Sequence, residues 1–268
     1  MLVADWIEIG RMDDLGRMDS PAHRLDARAK ALVTGIFIGL IMSFSRYEIS
    51  ALVPFLLYPV ALASLGRIPG RQIVKKILVA APFAVVIGMV NPLLDRHPVG
   101  AIGSVVLTGG WVSFASILFR FFLTVGAALV LVACTGMHRL GAGLEQLGVP
   151  RVFVMQLLFL YRYLFVVFDE AVRIMRGVVL RANGMGSLRP RVYGSLVGQL
   201  LLRSMDRADR VYRAMVARGY DGEVRLLLRP QLRWQDAVFV VASLAYLVTA
   251  RLWNLADVLG DLLTGAVS

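Results

Sequence analysis

Apolar residues run in blocks along this chain, and polar residues gather between them. The blocks are Ala31–Ser45, Ile49–Gly66, Ile77–Leu94, Val112 to about Thr135, Val152–Phe168 and about Asp236–Ala250. A membrane-crossing helix needs about 20 mostly apolar residues, so the first block, closed by Arg46, must recruit its flanks to span. Pro82 in the third block is tolerable in a membrane helix whose neighbours satisfy the freed carbonyl. Residues 95–110 read as a turn-rich connection, with Pro98, Gly100, Gly103 and Gly109-Gly110, and Trp111 then reads as an interfacial anchor. The pattern predicts an all-α membrane protein of about five transmembrane helices plus a module of long amphipathic helices.

The chain divides accordingly into a polar segment 1–30, four spans within 31–135, a helical module 136–235, and a final span with its tail, 236–268. Met1–Met18 reads as a short amphipathic surface helix. Asp26, Arg28 and Lys30 flank the first span. Gly35 and Gly39 form a small-xxx-small pair, read first as packing within the chain's own bundle and second as a dimer contact. In the module, Pro190 suits a first helical turn. Leu201, Met205, Ala208, Tyr212 and Met215 recur at helical spacing, so they share a face. Arg203, Arg207, Arg210 and Arg213 fall off it, with Asp206 placed to pair with Arg210. Gly219 suits a left-handed cap.

Composition and charge narrow the reading. Of 268 residues 58% are hydrophobic, above the roughly 45–50% of soluble domains, and mean hydropathy is +0.70. The net charge of +11 would suggest nucleic acid in a soluble protein. Here sixteen arginines lie between Arg139 and Arg233, and basic flanks of membrane helices face the cytoplasm. The 67–76 segment, with Arg67, Arg71, Lys75 and Lys76, is basic as well. Both on the inside places the N-terminus inside, makes 136–235 cytoplasmic, and leaves Val152–Phe168 as a helix along the inner leaflet rather than a span. No nucleic-acid partner is expected; membrane lipids are.

Several chemistries find no support. His23, His97 and His138 lie far apart, and Cys134 is the one cysteine, so neither a histidine site nor a thiolate cluster is expected. No Gly-Lys dipeptide occurs, hence no P-loop. Gly141-Ala142-Gly143 begins like a dinucleotide fingerprint, but Gln146 stands where the third glycine belongs and no strand precedes it. Asp206 and Asp209 sit among arginines and read as ion-pair partners. No nucleophile elbow or zinc signature appears, so an intramembrane enzyme is the weaker alternative.

Two basic helical segments each close on a short motif, Arg181-Ala182-Asn183-Gly184 and Ala217-Arg218-Gly219. These motifs fall between the fourth apolar block and the last. With them go Asp26-x-Arg28-x-Lys30, Leu-Phe-Arg120-Phe, Gly143-Leu144-Glu145-Gln146-Leu147 and Leu160-Tyr161-Arg162-Tyr163. In these features the chain resembles the transmembrane T component of energy-coupling factor (ECF) importers, nearest the cobalt type, CbiQ-like. The resemblance implies a non-catalytic subunit of the bacterial inner membrane. It implies that two cytoplasmic helices dock on a pair of ABC ATPases and relay their closure to a separate substrate-capture membrane subunit. It assigns the docking to Arg181, Ala182, Gly184, Ala217, Arg218 and Gly219, and leaves Arg120 and Arg162 as subunit-contact candidates. The first motif departs from the family pattern, with Asn183 between Ala182 and Gly184. No cofactor is implied in this chain; ATP and Mg would sit on the ATPases. Cobalt is the implied cargo, with nickel and then a vitamin as alternatives. A conventional ABC permease would carry Glu-Ala-Ala-x-x-x-Gly, whereas Glu170-Ala171-Val172 is followed by Arg176 at the glycine position.

Overall fold

The first membrane helix starts on a capping signal. Asp26 is extended and accepts the Arg28 amide at 2.9 Å, satisfying one orphan donor of the helix N-terminus. In the computed structural model, which describes residues 20–45, 49–94, 98–102, 105–181, 190–222 and 232–252, this helix is α2 (Ala27–Met42), preceded by a single turn, α1 (Pro21–Arg24). Two 3-10 turns, Ser50–Leu52 and Pro54–Leu56, lead into α3 (Leu57–Leu65). Then come α4 (Gly70–Gly88), α5 (Val90–Leu94), α6 (Gly109–Thr135), α7 (Met137–Gln146), α8 (Arg151–Arg181), α9 (Pro190–Ala217) and α10 (Trp234–Leu252). The protein is an all-α membrane protein. Four helical stretches are long and apolar enough to cross a bilayer: Gly70–Pro92, α6, α8 and α10. Helix α2 is shorter, and so is the Ser50–Leu65 stretch.

The chain forms two compact units. One is built from residues up to Leu147 together with the chain from Pro230; the other is Gly148–Arg229. In the first, α6 lies against α2, α3, α4 and α5. Its centre holds Phe37, Ile41, Leu52, Phe55, Tyr58, Leu123, Ala127, Val130 and Leu247. Lipid tails are as apolar as these side chains, so close packing rather than expulsion from water holds such a bundle. The Thr34 and Tyr58 hydroxyls share a 2.8 Å bond inside it, and the Tyr246 hydroxyl donates to the Pro54 carbonyl, tying α10 to the second 3-10 turn.

Polar groups gather at one edge of this unit. Lys30 has no exposed surface; its ammonium donates to the carbonyls of Ala22 and Cys134, each at 2.9 Å. Asp236 accepts the Arg233 amide at 2.7 Å, half of a capping box for α10. Its other oxygen accepts the Asp26 amide at 2.6 Å, across 210 residues of sequence. His23 contacts the Ser20 hydroxyl through Nδ1 at 2.6 Å and the Ala133 carbonyl through Nε2 at 3.3 Å. A proton on Nε2 lets the ring donate to Ala133 and accept from Ser20. Arg139 donates to the His23 carbonyl at 3.0 Å. This clasp joins the entry to α2, the α6–α7 corner and the start of α10.

Several sequence expectations change here. Lys30 is an internal donor instead of a flanking cation. Arg71, Lys75 and Lys76 lie within α4, not in a loop. The 95–110 connection contains an antiparallel hairpin, Pro98–Ile102 against Val105–Thr108. The segment after the fourth apolar block forms helix α7. Gly136 turns the chain into it with φ +74°. The Gly141-Ala142-Gly143 run is buried in α7. A Cβ on Gly143 would lie 2.9 Å from the Ala27 Cβ and 3.2 Å from the Arg28 nitrogen, so glycine permits α7 to rest on the backbone of α2. The Gly35 and Gly39 pair does not follow the first reading: among the described residues nothing lies within 4 Å of a Cβ placed there. The segment 1–18 and the tail with Trp253, Asp257 and Asp261 lie outside the described residues.

Candidate functional site: the two helix ends of the α8–α9 pair

Helices α8 and α9 pack against each other and run antiparallel. Tyr220, just past α9, donates its hydroxyl to the Met155 sulfur near the start of α8 at 3.7 Å. Further along, Arg203 hydrogen-bonds Glu170, which also pairs with Arg173 at 3.2 Å. The Arg203 bond, with the nearby guanidinium charges, holds the Glu170 carboxyl below the usual carboxylate range. Sequence periodicity placed Leu201 and Met205 on one face with Ala208, Tyr212 and Met215, and Arg207 off it. Instead Ser204, Arg207, Ala208, Val211, Tyr212 and Met215 face the trough between the helices. Leu201 and Met205 are more than 60% exposed. The i,i+4 pair on α9 is Asp209–Arg213, at 3.2 Å; among the described residues no Asp206–Arg210 pair forms.

The end of α9 is a Schellman motif. Gly219 has φ +82°, its amide bonds the Val216 carbonyl at 3.0 Å, and the Tyr220 amide bonds the Met215 carbonyl at 3.0 Å. Each residue of Ala217-Arg218-Gly219-Tyr220 therefore has a physical task. Ala217 is the last helical residue, and Arg218 is the cap. Gly219 takes the left-handed conformation that a side chain resists, and Tyr220 folds back onto α8. The result leaves Arg218 exposed at a fixed helix tip. Tyr220 is a candidate that sequence reasoning left off its site residues. Its signal was present: an aromatic directly after an Arg-Gly cap is placed to make the contact that accompanies such caps.

Arg181 is the last residue of α8 and is exposed. Ala182, Asn183 and Gly184 lie outside the described residues. Since the helices are antiparallel, the two arginines are not brought together. Arg218 stands level with the first turns of α8, and Arg181 lies about 25 residues further along, roughly 37 Å at 1.5 Å per residue. Arg162 is exposed on α8. Arg120, on α6, donates to the Ser45 carbonyl within its own unit. Among the described residues no three His, Cys, Asp or Glu side chains converge on a metal-sized site.

A family model described as "Cobalt transport protein", CbiQ, matches residues 18–227. The chain belongs to the CbiQ family. Among its relatives is an uncharacterized protein of Methanocaldococcus jannaschii, 24% identical over 88% of this chain and 83% of the relative. The energy-coupling factor transporter transmembrane protein EcfT of Limosilactobacillus fermentum is 29% identical over 86% of this chain and 94% of its own length. A putative fused cobalt transport protein, CbiMQ, of Methanocorpusculum labreanum is 25% identical, over 53% of this chain and 24% of the relative. The family match takes in both short motifs. This CbiQ family member is thus a multi-pass membrane protein related to membrane components of ECF transporters.

Proposed function

We propose that this CbiQ family member is the T component of an ATP-driven importer. It transmits the closure of two ABC ATPases to a membrane subunit that captures the substrate. The observation that carries the reading is the pair of separated arginine tips. Each ends a long helix of one packed pair, roughly 37 Å apart, a spacing suited to gripping two subunits of a dimeric motor at one point each. A guanidinium offers a planar donor fork to carboxylates, and the Schellman end gives Arg218 a fixed direction. The helices act as a lever because Tyr220–Met155 ties them at one end and Arg203–Glu170 ties them near the middle.

In this reading the α8–α9 unit is cytoplasmic. Residues 148–229 carry fourteen arginines against six acids, which favours the cytoplasmic side. Helix α8, although long enough to cross, then lies along the inner leaflet. Cobalt is the proposed cargo. The family description and the fused relative support it, and no residue of this chain is assigned to reading the metal.

The test is co-purification from cells expressing the tagged chain with candidate ATPases. Wild type is expected to retain ATPase, and the Arg181→Glu, Arg218→Glu double variant to lose it while still inserting in the membrane. Equal retention by both would remove the two tips as the grip. Uptake of radioactive cobalt by the full set of subunits, against nickel as competitor, tests the cargo.

A further inference from the structure

The trough between α8 and α9 has a volume of about 460 Å³, within the range of sites for small amphiphilic ligands. It extends from Met155 and Tyr220 to Val167 and Ser204, about twelve residues of helix, or roughly 18 Å. An elongated trough of this volume suits an extended hydrocarbon chain. Phe159, Tyr163, Val211 and Met215 supply apolar walls. Methionine and aromatic side chains adapt to a flexible guest.

One group in the trough has the wrong chemistry for an empty apolar channel. Arg207 lines it, half-buried, and has no hydrogen-bond or ion-pair partner among the described residues. The nearby carboxylate, Glu170, already serves Arg203 and Arg173, so three guanidiniums surround one acid. One acid leaves this partly desolvated cluster of guanidiniums with excess positive charge, and a phosphate diester would satisfy Arg207 through two parallel N–H bonds. Outside the trough, Leu201, Leu202 and Met205 are 61–64% exposed, an apolar stripe suited to a leaflet surface.

We propose that the trough binds one acidic phospholipid of the surrounding membrane, with an acyl chain between α8 and α9 and its phosphate on Arg207. The lipid would act as a removable filler of the lever, between the ties at Tyr220–Met155 and at Glu170. This proposal needs the α8–α9 unit to meet a leaflet. It does not need the ATPase grip, and its test uses no ATPase.

The full-length chain, purified in neutral detergent, is titrated with phosphatidylglycerol or with phosphatidylcholine of the same chains, and bound lipid is counted by native mass spectrometry. One phosphatidylglycerol per chain is expected, held at least tenfold tighter than phosphatidylcholine. Arg207→Gln is expected to erase that preference and Arg207→Lys to keep most of it. Arg213→Gln, outside the trough, should change nothing. Ala208→Phe, which fills the trough, is expected to lose the tight lipid. Equal retention of both lipids by wild type overturns the proposal, as does unchanged retention in Arg207→Gln. Palmitate binding as tightly as phosphatidylglycerol overturns the phospholipid assignment in favour of a free fatty acid. Full retention of the tight lipid by Ala208→Phe would show that the lipid sits elsewhere, and the proposal falls.

Discussion

A lysine with no exposed surface, set in an apolar bundle, must give its charge somewhere to go. Lys30 gives it to two main-chain carbonyls, Ala22 and Cys134, each at 2.9 Å. Removing the ammonium strands both acceptors where water does not reach. Hydrogen bonds to charged groups are worth about 1.5–3 kcal/mol each, so Lys30→Met is expected to cost about 3 kcal/mol. At roughly 2–4 °C per kcal/mol for a chain of this size, the thermal midpoint in detergent should fall by about 6–12 °C. An unchanged midpoint would mean the clasp is not what holds α2 to the α6–α7 corner. The residue scale was only partly legible in the sequence. Arg218 stood out because an arginine before a cap glycine is a local signal. Lys30 did not, because a lysine before an apolar block looks the same whether it faces lipid headgroups or a buried carbonyl 104 residues away. Arg207 was hidden for a related reason: α9 carries two apolar stripes, and only the arrival of α8 selects between them.

At the scale of elements, glycines of similar sequence context have opposite roles. Gly143 sits where α7 touches the backbone of α2, so Gly143→Leu should overpack the contact by about 1–3 kcal/mol and lower the midpoint. Gly35 and Gly39 meet nothing within 4 Å. The Gly35→Ala, Gly39→Ala variant should therefore leave the midpoint unchanged or raise it, since alanine favours the helix by up to about 1 kcal/mol per site. Thermal melts of the two variants side by side decide it, and a large loss in the second would require a packing partner for that face of α2. The end of α9 makes a further prediction. Gly219→Val forces a branched side chain into φ +82°, a conformation that L-residues resist. It should disorder the Arg218 tip and weaken ATPase co-purification about as much as Arg218→Glu does, while insertion stays normal. Full ATPase retention in Gly219→Val would show that the cap geometry is irrelevant to docking.

On the scale of the whole molecule, charge asymmetry and helix length pull in different directions. Helix α8 meets the length and hydropathy of a membrane span, while the arginines around it favour the cytoplasmic side. A cysteine at Ser187 separates the two readings, because native Cys134 is buried and should stay silent. An impermeant maleimide should label Ser187→Cys in inside-out vesicles and not in intact cells. Labelling of intact cells alone would put the α8–α9 unit outside and end the ATPase-docking proposal with it.

The sequence by itself determined the long apolar helices, the basic stretch, and the two arginine motifs with the glycine cap. These are properties of composition, period and adjacent residues, all local along the chain. Tertiary structure alone decided that Lys30 is an internal donor and that Gly143 is a contact where Gly35 and Gly39 are not. It also turned Arg207 inward, and set Arg181 and Arg218 at opposite ends of one antiparallel pair. Each of these depends on which distant element packs alongside, and hydrophobic periodicity records that a face is apolar without recording its neighbour.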